Sequence, residues 1–172
     1  MNLNKKLIFI TVVSILLLIT PSHAFISKKE IKLYKRLSMQ YEWLSLDLYN
    51  IILYESKVAD FDPKLICSII HVESSGENII SKQNKDGSYD IGYCQYNTKN
   101  MKKGEERLYL NPNLNIRSGI LYFKDCIKVS NGRLDDSIRL YNQGINGKRD
   151  KYKNWKYVKK VFKAYSTSLN II

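Results

Sequence analysis

The chain has 172 residues, with 28 lysines and arginines against 16 aspartates and glutamates, for a formal net charge of +12. This length is enough for one compact domain with a hydrophobic core. Two histidines and three cysteines, at spacings that fit no common zinc site, argue against metal chemistry. The charge favours acidic partners, and because no basic cluster is interleaved with aromatics, nucleic acid is not expected among them.

The N-terminus has the layout of a secretory signal peptide. Lys5 and Lys6 precede an apolar run from Leu7 to Ile19, and the segment ends in a small residue, Ala24. The run is shorter than the roughly 20 residues of a transmembrane helix. We therefore expect cleavage after residue 24, export to the periplasm, the cell envelope or the outside, and no stable membrane span afterwards. A retained N-terminal anchor is the alternative.

Residues 25–58 contain no proline or glycine, and apolar residues recur at steps of three and four. This pattern predicts one long amphipathic helix, or two in succession. Basic residues crowd the first turns, from Lys28 to Arg36. We expect an amphipathic helical extension over residues 25–60 that packs on a domain formed by residues 61–172. A membrane-surface or partner-binding helix is the alternative.

The next segment predicts a helix that ends on a carboxylate. Asp62 is a good N-cap, Pro63 suits the first helical position, and Gly76 suits the stop. Between them, Glu73 falls on the apolar face that must turn toward the core. A carboxylate at this position is either a solvent-facing group at a helix end or a catalytic acid.

Two physical effects would raise the pKa of Glu73. Partial burial disfavours the charged form, and the last helical turn presents the negative end of the helix dipole to it. A carboxylic acid that stays protonated near neutral pH is what the cleavage of a glycosidic bond requires from its general acid. Glu73 is therefore the candidate catalytic residue.

A polar loop over residues 76–89 leads to a second element that carries Gln95 and Asn97. Asp86 lies in a predicted turn, and Asp90 follows at the start of the second element. Both are candidates for a second carboxylate of the site, although capping or loop hydrogen bonds suit their setting better.

Three more helices are predicted from apolar periodicity, over Leu114 to Val129, Asp135 to Tyr141, and Trp155 to Tyr165. Residues 147–154 form a basic loop, and no alternating strand pattern of useful length is present. The fold class is therefore mainly α. The three cysteines allow at most one disulfide bond, and burial as thiols is the ordinary role of Cys67 and Cys126.

Four segments share their order and separations with one known family. They are Glu73-Ser74-Ser75-Gly76, Asp90-Ile91-Gly92-Tyr93-Cys94-Gln95-Tyr96-Asn97, Asn111-Pro112 with Asn115-Ile116 and Gly119, and Tyr141-Asn142-Gln143-Gly144. Together they resemble the lytic transglycosylases of the soluble-lytic, goose-lysozyme-like family, over about residues 61–165. The resemblance is strongest to small exported members that accompany secretion and conjugation machines.

The resemblance implies a lysozyme-like single domain that cleaves peptidoglycan between N-acetylmuramic acid and N-acetylglucosamine, without a metal or organic cofactor. Glu73 would be the general acid and then the base, and the muramic C6 hydroxyl would attack C1 and leave a 1,6-anhydro end. The substrate-binding residues implied are Ser81, Gln95, Asn97, Tyr141 and Asn142. Tyr141 and Asn142 also suit a core residue and a helix terminator.

The sequence departs from the family pattern in two places. Glu77-Asn78 stands where the family usually has Asn-Pro, and a carboxylate there would raise the pKa of Glu73 if it came close. Tyr93-Cys94 replaces a Leu-Met pair and makes the floor of the sugar site bulkier and more polar. Two other functions stay open: a hydrolytic muramidase on the same fold, and a non-catalytic wall-binding or assembly component of a secretion machine.

Overall fold

The computed structural model of the protein describes residues 26–145 and 154–169. The predicted signal peptide and nearly all of the predicted basic loop lie outside this part of the chain. The chain divides into two units, residues 1–33 and residues 34–172.

The described residues form six α-helices and one short hairpin. The helices are α1 (Lys28–Gln40), α2 (Leu46–Ala59), α3 (Pro63–Ser74), α4 (Pro112–Val129), α5 (Leu134–Gln143) and α6 (Trp155–Leu169). The hairpin pairs β1 (Asp90–Ile91) with β2 (Tyr96–Asn97) in antiparallel register, and two 3₁₀ turns follow at Thr98–Asn100 and Glu106–Leu110. The fold is mainly α, which confirms the prediction.

The amphipathic stretch predicted over residues 25–58 is two helices in succession, α1 and α2. In the first unit, Ser27 caps α1 reciprocally with Glu30. The Ser27 hydroxyl accepts a hydrogen bond from the Glu30 amide, and the Glu30 carboxylate accepts one from the Ser27 amide at 2.7 Å. Within residues 26–145 and 154–169, no helix combines the length and the apolarity that crossing a membrane requires.

Helix α3 begins and ends as predicted, with Gly76 directly after the C-cap. The Asp62 carboxylate accepts a hydrogen bond from the Lys64 amide at 2.9 Å, and Pro63 occupies the first turn. The left-handed residue that ends the helix is Ser75, with φ 54°. Gly76 follows at φ 79°, and a Cβ on it would lie 2.2 Å from the Trp43 ring, so the chain turns tightly against that indole.

Helix α4 packs against α2 and α5, and α6 packs against α3 and α5. The inner face of α4 carries Ile120 and Phe123, which are fully buried, and α2 adds Tyr49 and Ile52. Each large apolar side chain contributes roughly 1.5–3 kcal/mol by its removal from water. The predicted boundary between a helical extension over residues 25–60 and a domain over residues 61–172 stays a prediction.

The hairpin is attached to α4 by one buried amide. Asn115 is fully buried; its Nδ2 donates to the Ile91 carbonyl at 2.8 Å, and its Oδ1 accepts from the Cys94 amide at 2.9 Å. Gly92 is required beside it, because a Cβ there would lie 2.3 Å from Asn115 Nδ2 and φ is 76°. One side chain on α4 thus fixes the loop between the two strands.

All three cysteines are free and buried. Burial raises the pKa of the Cys67, Cys94 and Cys126 thiols well above its ordinary value. They are therefore protonated near neutral pH and pack as small apolar groups. This is the role predicted for Cys67 and Cys126, and it extends to Cys94.

Candidate active site

A cleft of about 720 Å³ opens between the end of α3, the hairpin region and the end of α5. Its walls are mostly polar and aromatic side chains. They include Glu73, Asn84, Asp86, Asp90, Gln95, Tyr96, Asn97, Tyr122, Tyr141 and Asn142. The predicted catalytic residue and four of the five predicted substrate-binding residues therefore line one cavity.

Glu73 lies in the last turn of α3, partly buried, with its carboxyl group in the cleft. Its Oε1 accepts a hydrogen bond from the Tyr157 hydroxyl of α6. Burial raises the pKa of Glu73 to about 7, the Tyr157 hydrogen bond opposes the rise, and the negative charge of Asp90 adds to it. Near neutral pH a large fraction of this carboxyl group carries a proton that it can donate.

Asp86 and Asp90 line the same cleft, but their carboxylates already accept hydrogen bonds from protein groups. Asp90 accepts from Asn97 at 2.6 Å and from Asn84 at 3.0 Å. Asp86 accepts from Lys99 at 2.5 Å and from the Ser88 hydroxyl at 2.6 Å. The hydrogen bond from Lys99, followed by those from Ser88, holds the pKa of Asp86 well below its ordinary value. The pKa values of Glu73 and Asp86 are thus driven apart, so of these two carboxyl groups Glu73 is the one that holds a proton near neutral pH.

Glu77, which with Asn78 stands where the family usually has Asn-Pro, does not line the cleft. Glu77 is exposed, and it is absent from the residues that line the cleft in the described part of the chain. The charge that raises the pKa of Glu73 comes from Asp90.

Gln95 directly precedes the second strand, Asn97 is its last residue, and the two side chains have different surroundings. Gln95 has φ 47°, and its amide nitrogen donates to the Gly92 carbonyl at 2.8 Å. Asn97 is bonded more fully: its amide nitrogen donates to Asp90 and Ser88, and its oxygen accepts from the Lys99 amide at 2.9 Å. Asn97 therefore holds Asp90 in place, while Gln95 lines the cleft with its amide nitrogen bonded to the backbone.

Tyr141 and Asn142 end α5 at the opposite wall. The Tyr141 hydroxyl donates to the Cys94 carbonyl at 2.9 Å, and the residue is 8% exposed. Asn142 is exposed, and its Oδ1 accepts from the Asn154 amide at 2.6 Å. The buried hydroxyl ties α5 to the hairpin loop, and Asn142 is the group of this pair that solvent reaches.

Ser81 lies outside the cleft. Its hydroxyl accepts a hydrogen bond from the Asp90 amide at 2.9 Å and donates to the Lys82 carbonyl, and its own amide donates to the Asp90 carbonyl at 2.8 Å. These bonds fix the start of β1 and so the position of the Asp90 side chain.

Two tyrosines of the site were not predicted from the sequence. Tyr157 is 84 residues from Glu73, and the sequence shows it only as part of a helical apolar stripe. Tyr122 lines the cleft, stands 5.5 Å from the Tyr141 ring centre, and accepts a hydrogen bond from the Ile145 amide. The chain contains 13 tyrosines, so residue type alone carries no signal for either position.

Within residues 26–145 and 154–169, no group of three or more histidine, cysteine, aspartate or glutamate side chains could hold a metal ion.

The family model of the transglycosylase SLT domain matches residues 50–162 of this chain. That range includes α3, the hairpin, α4, α5 and Tyr157. The chain is also 27% identical over 119 residues to the protein named invasion protein IagB of Salmonella typhimurium (strains SL1344 and LT2) and of Salmonella typhi. The alignment covers 66% of this chain and 73% of the relative. No solved structure matches the chain.

Proposed function

Because the chain belongs to the transglycosylase SLT family and is a lysozyme-like peptidoglycan lytic transglycosylase, we propose that Glu73 is its general acid and base. The observation that carries this proposal is the partly buried carboxyl group in the cleft, with a pKa of about 7 and a hydrogen bond from Tyr157. Such a pKa lets one group donate and then accept a proton near neutral pH.

The proposed reaction needs a single carboxyl group. Glu73 gives its proton to the oxygen that joins C1 of N-acetylmuramic acid to N-acetylglucosamine, and the C1–O bond breaks. The Glu73 carboxylate then takes the proton of the muramic C6 hydroxyl, whose oxygen bonds to C1. The product has a 1,6-anhydro end, and Glu73 regains its proton. The substrate's N-acetyl group is the proposed stabiliser of the intermediate.

Hydrolysis by an added water is the alternative outcome at the same cleft. An inverting hydrolase uses a second carboxylate as base, and Asp86 and Asp90 are the candidates here. Each of their four carboxylate oxygens already accepts a hydrogen bond from a protein donor. That engagement favours the route in which the C6 hydroxyl, and not water, attacks.

The remaining cleft residues are proposed to bind the glycan strand. The Gln95 amide oxygen and the exposed Asn142 amide would hydrogen-bond hydroxyl and acetamido groups. Tyr96, Tyr122 and Tyr141 line the cleft and contact one another, and exposed parts of such rings suit contact with sugar faces. Asn97 and Ser81 would act indirectly, by holding Asp90 and the hairpin.

Export and a partner machine belong to the proposal as well. The signal-like N-terminus and a peptidoglycan substrate both support a site of action in the periplasm, the cell envelope or outside the cell. A role beside secretion or conjugation machinery is supported by the likeness to proteins named for invasion. The test is to fractionate cells with and without that machinery. Retention of the enzyme in the envelope fraction only when the machinery is present would support the partner.

The first test is mass spectrometry of purified peptidoglycan after digestion by the wild type, Glu73→Gln and Glu77→Gln. We expect anhydro-muropeptides from the wild type and from Glu77→Gln, and a loss of about 10²–10⁴-fold in rate for Glu73→Gln. Glu77 is a matched control, because it is a nearby glutamate that is exposed and does not line the cleft. Reducing-end products from the wild type would make the protein a hydrolase and overturn the anhydro route.

A further inference from the structure

A second, separate groove of about 490 Å³ lies on the other side of α3 and α6 from the cleft. Helix α3 turns Glu73 toward the cleft and His71, Val72 and Ser75 toward this groove. Helix α6 likewise presents Tyr157 to Glu73 and two lysines to the groove. Its lining residues are Gln40, Tyr41, His71, Val72, Ser75, Lys160, Lys163, Ala164 and Thr167.

The groove is cationic, and no ion pair within the described residues neutralises its lysines. Lys160 and Lys163 are exposed, three residues apart on one face of α6. Helix α6 contains no acidic residue, and in the described part of the chain no ion pair joins either lysine to a carboxylate. Among residues 26–145 and 154–169, no acidic side chain lines the groove. An anion that entered it would therefore meet two ammonium groups without a competing carboxylate.

The uncharged walls of the groove are fixed by hydrogen bonds. The amide of Gln40 and the hydroxyl of Tyr41 both donate to the Ala164 carbonyl, at 2.8 and 3.3 Å. Burial raises the pKa of Tyr41 to about 12, so this hydroxyl stays a donor. Trp43 Nε1 donates to His71 Nδ1 at 3.4 Å. The walls thus join α1, α3 and α6 before any ligand arrives.

The surface between these polar groups is small and apolar. Val72 and Ala164 line it, and Tyr41, 1% exposed, forms part of the wall. Lysine ammonium groups beside methyl-sized apolar surface suit a carboxylate that carries a small side chain.

We propose that this groove binds the carboxylate groups of peptidoglycan stem peptides. The inference rests on the proposed function for its substrate: the wall polymer carries short peptides that end in small residues with a free carboxylate, such as alanine. The groove lies apart from the catalytic cleft, so it would hold a peptide of the wall while the cleft holds a glycan strand. Binding at two places raises the effective concentration of the polymer at the cleft.

The test measures binding of an N-acetylated stem pentapeptide by calorimetry, with the fully amidated peptide beside it. Lys160→Gln/Lys163→Gln should weaken binding of the free-acid peptide by about tenfold. Lys156→Gln/Lys159→Gln removes the same charge from the same helix, at exposed lysines that do not line the groove, and should change binding by less than about twofold. The amidated peptide should bind the wild type as weakly as the free acid binds the groove variant.

Three results would overturn the inference: equal losses in the two lysine pairs, equal binding of the amidated peptide, or no binding of the free acid by the wild type. Vesicles of phosphatidylglycerol form a separate arm. Vesicle binding that depends on Lys160 and Lys163, without peptide binding, would assign the groove to lipid and also overturn it.

The peptide-binding groove and the proposed catalytic function can be tested independently of each other. Glu73→Gln should bind the free-acid pentapeptide as the wild type does, since Glu73 lines the other cavity. The Lys160→Gln/Lys163→Gln protein should release anhydro products from peptide-free glycan chains at the wild-type rate. If the groove does not bind the peptide, the proposed role of Glu73 is unaffected. If Glu73 is not the catalytic acid, the groove can still bind the peptide.

Discussion

The two sides of the α3–α6 pair differ in how their charged groups are satisfied. In the cleft, Glu73 accepts a hydrogen bond from Tyr157, and Asp90 accepts from Asn97 and Asn84. In the groove, Lys160 and Lys163 form no ion pair with a described carboxylate. The same two helices supply both surfaces, so the difference comes from which residues each helix turns to which side.

The difference follows from solvent exclusion. Burial of the Glu73 carboxyl raises its pKa, and buried polar groups need protein partners because water cannot serve them. The lysines are exposed, so water satisfies them at little cost until an anion replaces it. Substitutions on the cleft side should therefore change stability or catalysis, and substitutions on the groove side should change binding alone.

The largest effect should come from Asn115→Ala, beneath the cleft. The change leaves the Ile91 carbonyl and the Cys94 amide unpaired in the core and opens a cavity. We expect a loss of about 4 kcal/mol in the free energy of unfolding, measured by urea denaturation. Asn113→Ala, at an exposed position of the same helix, should cost less than about 0.5 kcal/mol. Equal costs would show that the buried amide does not hold the hairpin.

The second effect is a pH dependence of stability that belongs to Glu73. The folded-state pKa of about 7 lies above the ordinary 4.5, so the folded protein binds this proton more tightly than the unfolded chain. The carboxyl group costs nothing below about pH 4.5 and destabilises the folded state as the pH rises through about 7.

The free energy of unfolding of the wild type, relative to Glu73→Gln, should therefore fall by up to about 3 kcal/mol between about pH 4 and pH 8. Thermal or urea unfolding of both proteins across that range measures it, with Glu77→Gln as the control for charge removal at an exposed site. A difference that stays constant with pH would contradict the raised pKa.

Tyr157→Phe should give the next effect. The hydroxyl hydrogen bond lowers the pKa of Glu73 against the effect of burial, so its removal should raise that pKa further. We expect kcat/KM to fall by about tenfold, with the decline of activity at high pH moving to a higher pH. A fall in rate with an unmoved pH profile would mean that Tyr157 only shapes the cleft.

The smallest effect should come from the groove lysines. Lys160→Gln/Lys163→Gln should change the free energy of unfolding by less than about 0.5 kcal/mol, because both side chains are exposed and lack an ion-pair partner among the described acids. Urea denaturation beside Lys156→Gln/Lys159→Gln measures this. A loss of more than about 1 kcal/mol would show that the lysines have a structural role and remove the contrast between the two sides.

The local features of α3 were predictable because they depend on neighbours in sequence. Asp62 and Pro63 start the helix as predicted, and the apolar spacing placed Glu73 on the inner face. The structure has Ser75 at the C-cap and Gly76 directly after it, which is the stop that the sequence predicted. The close approach of the Trp43 ring to Gly76 joins residues that are 33 positions apart, and no local pattern predicts it.

The partners of the site residues were not predictable in the same way. Nothing local distinguishes Tyr157 from the other tyrosines, and its hydrogen bond to Glu73 exists only once α6 packs on α3. Asn97 fits a sugar-binding position in the sequence, yet in the fold its amide is occupied by Asp90, Ser88 and Lys99. Its direct contact with substrate stays a prediction.

The sequence by itself determined the mainly helical class, the start of α3 at Asp62 and Pro63, and the place of Glu73 at the end of that helix, because caps and helical periodicity are local properties. The tertiary structure alone decided the pKa of that carboxyl group, its tyrosine partner, and the separation of a cleft from a cationic groove. Those properties depend on which distant segments exclude water from each side chain, and no local pattern encodes that exclusion.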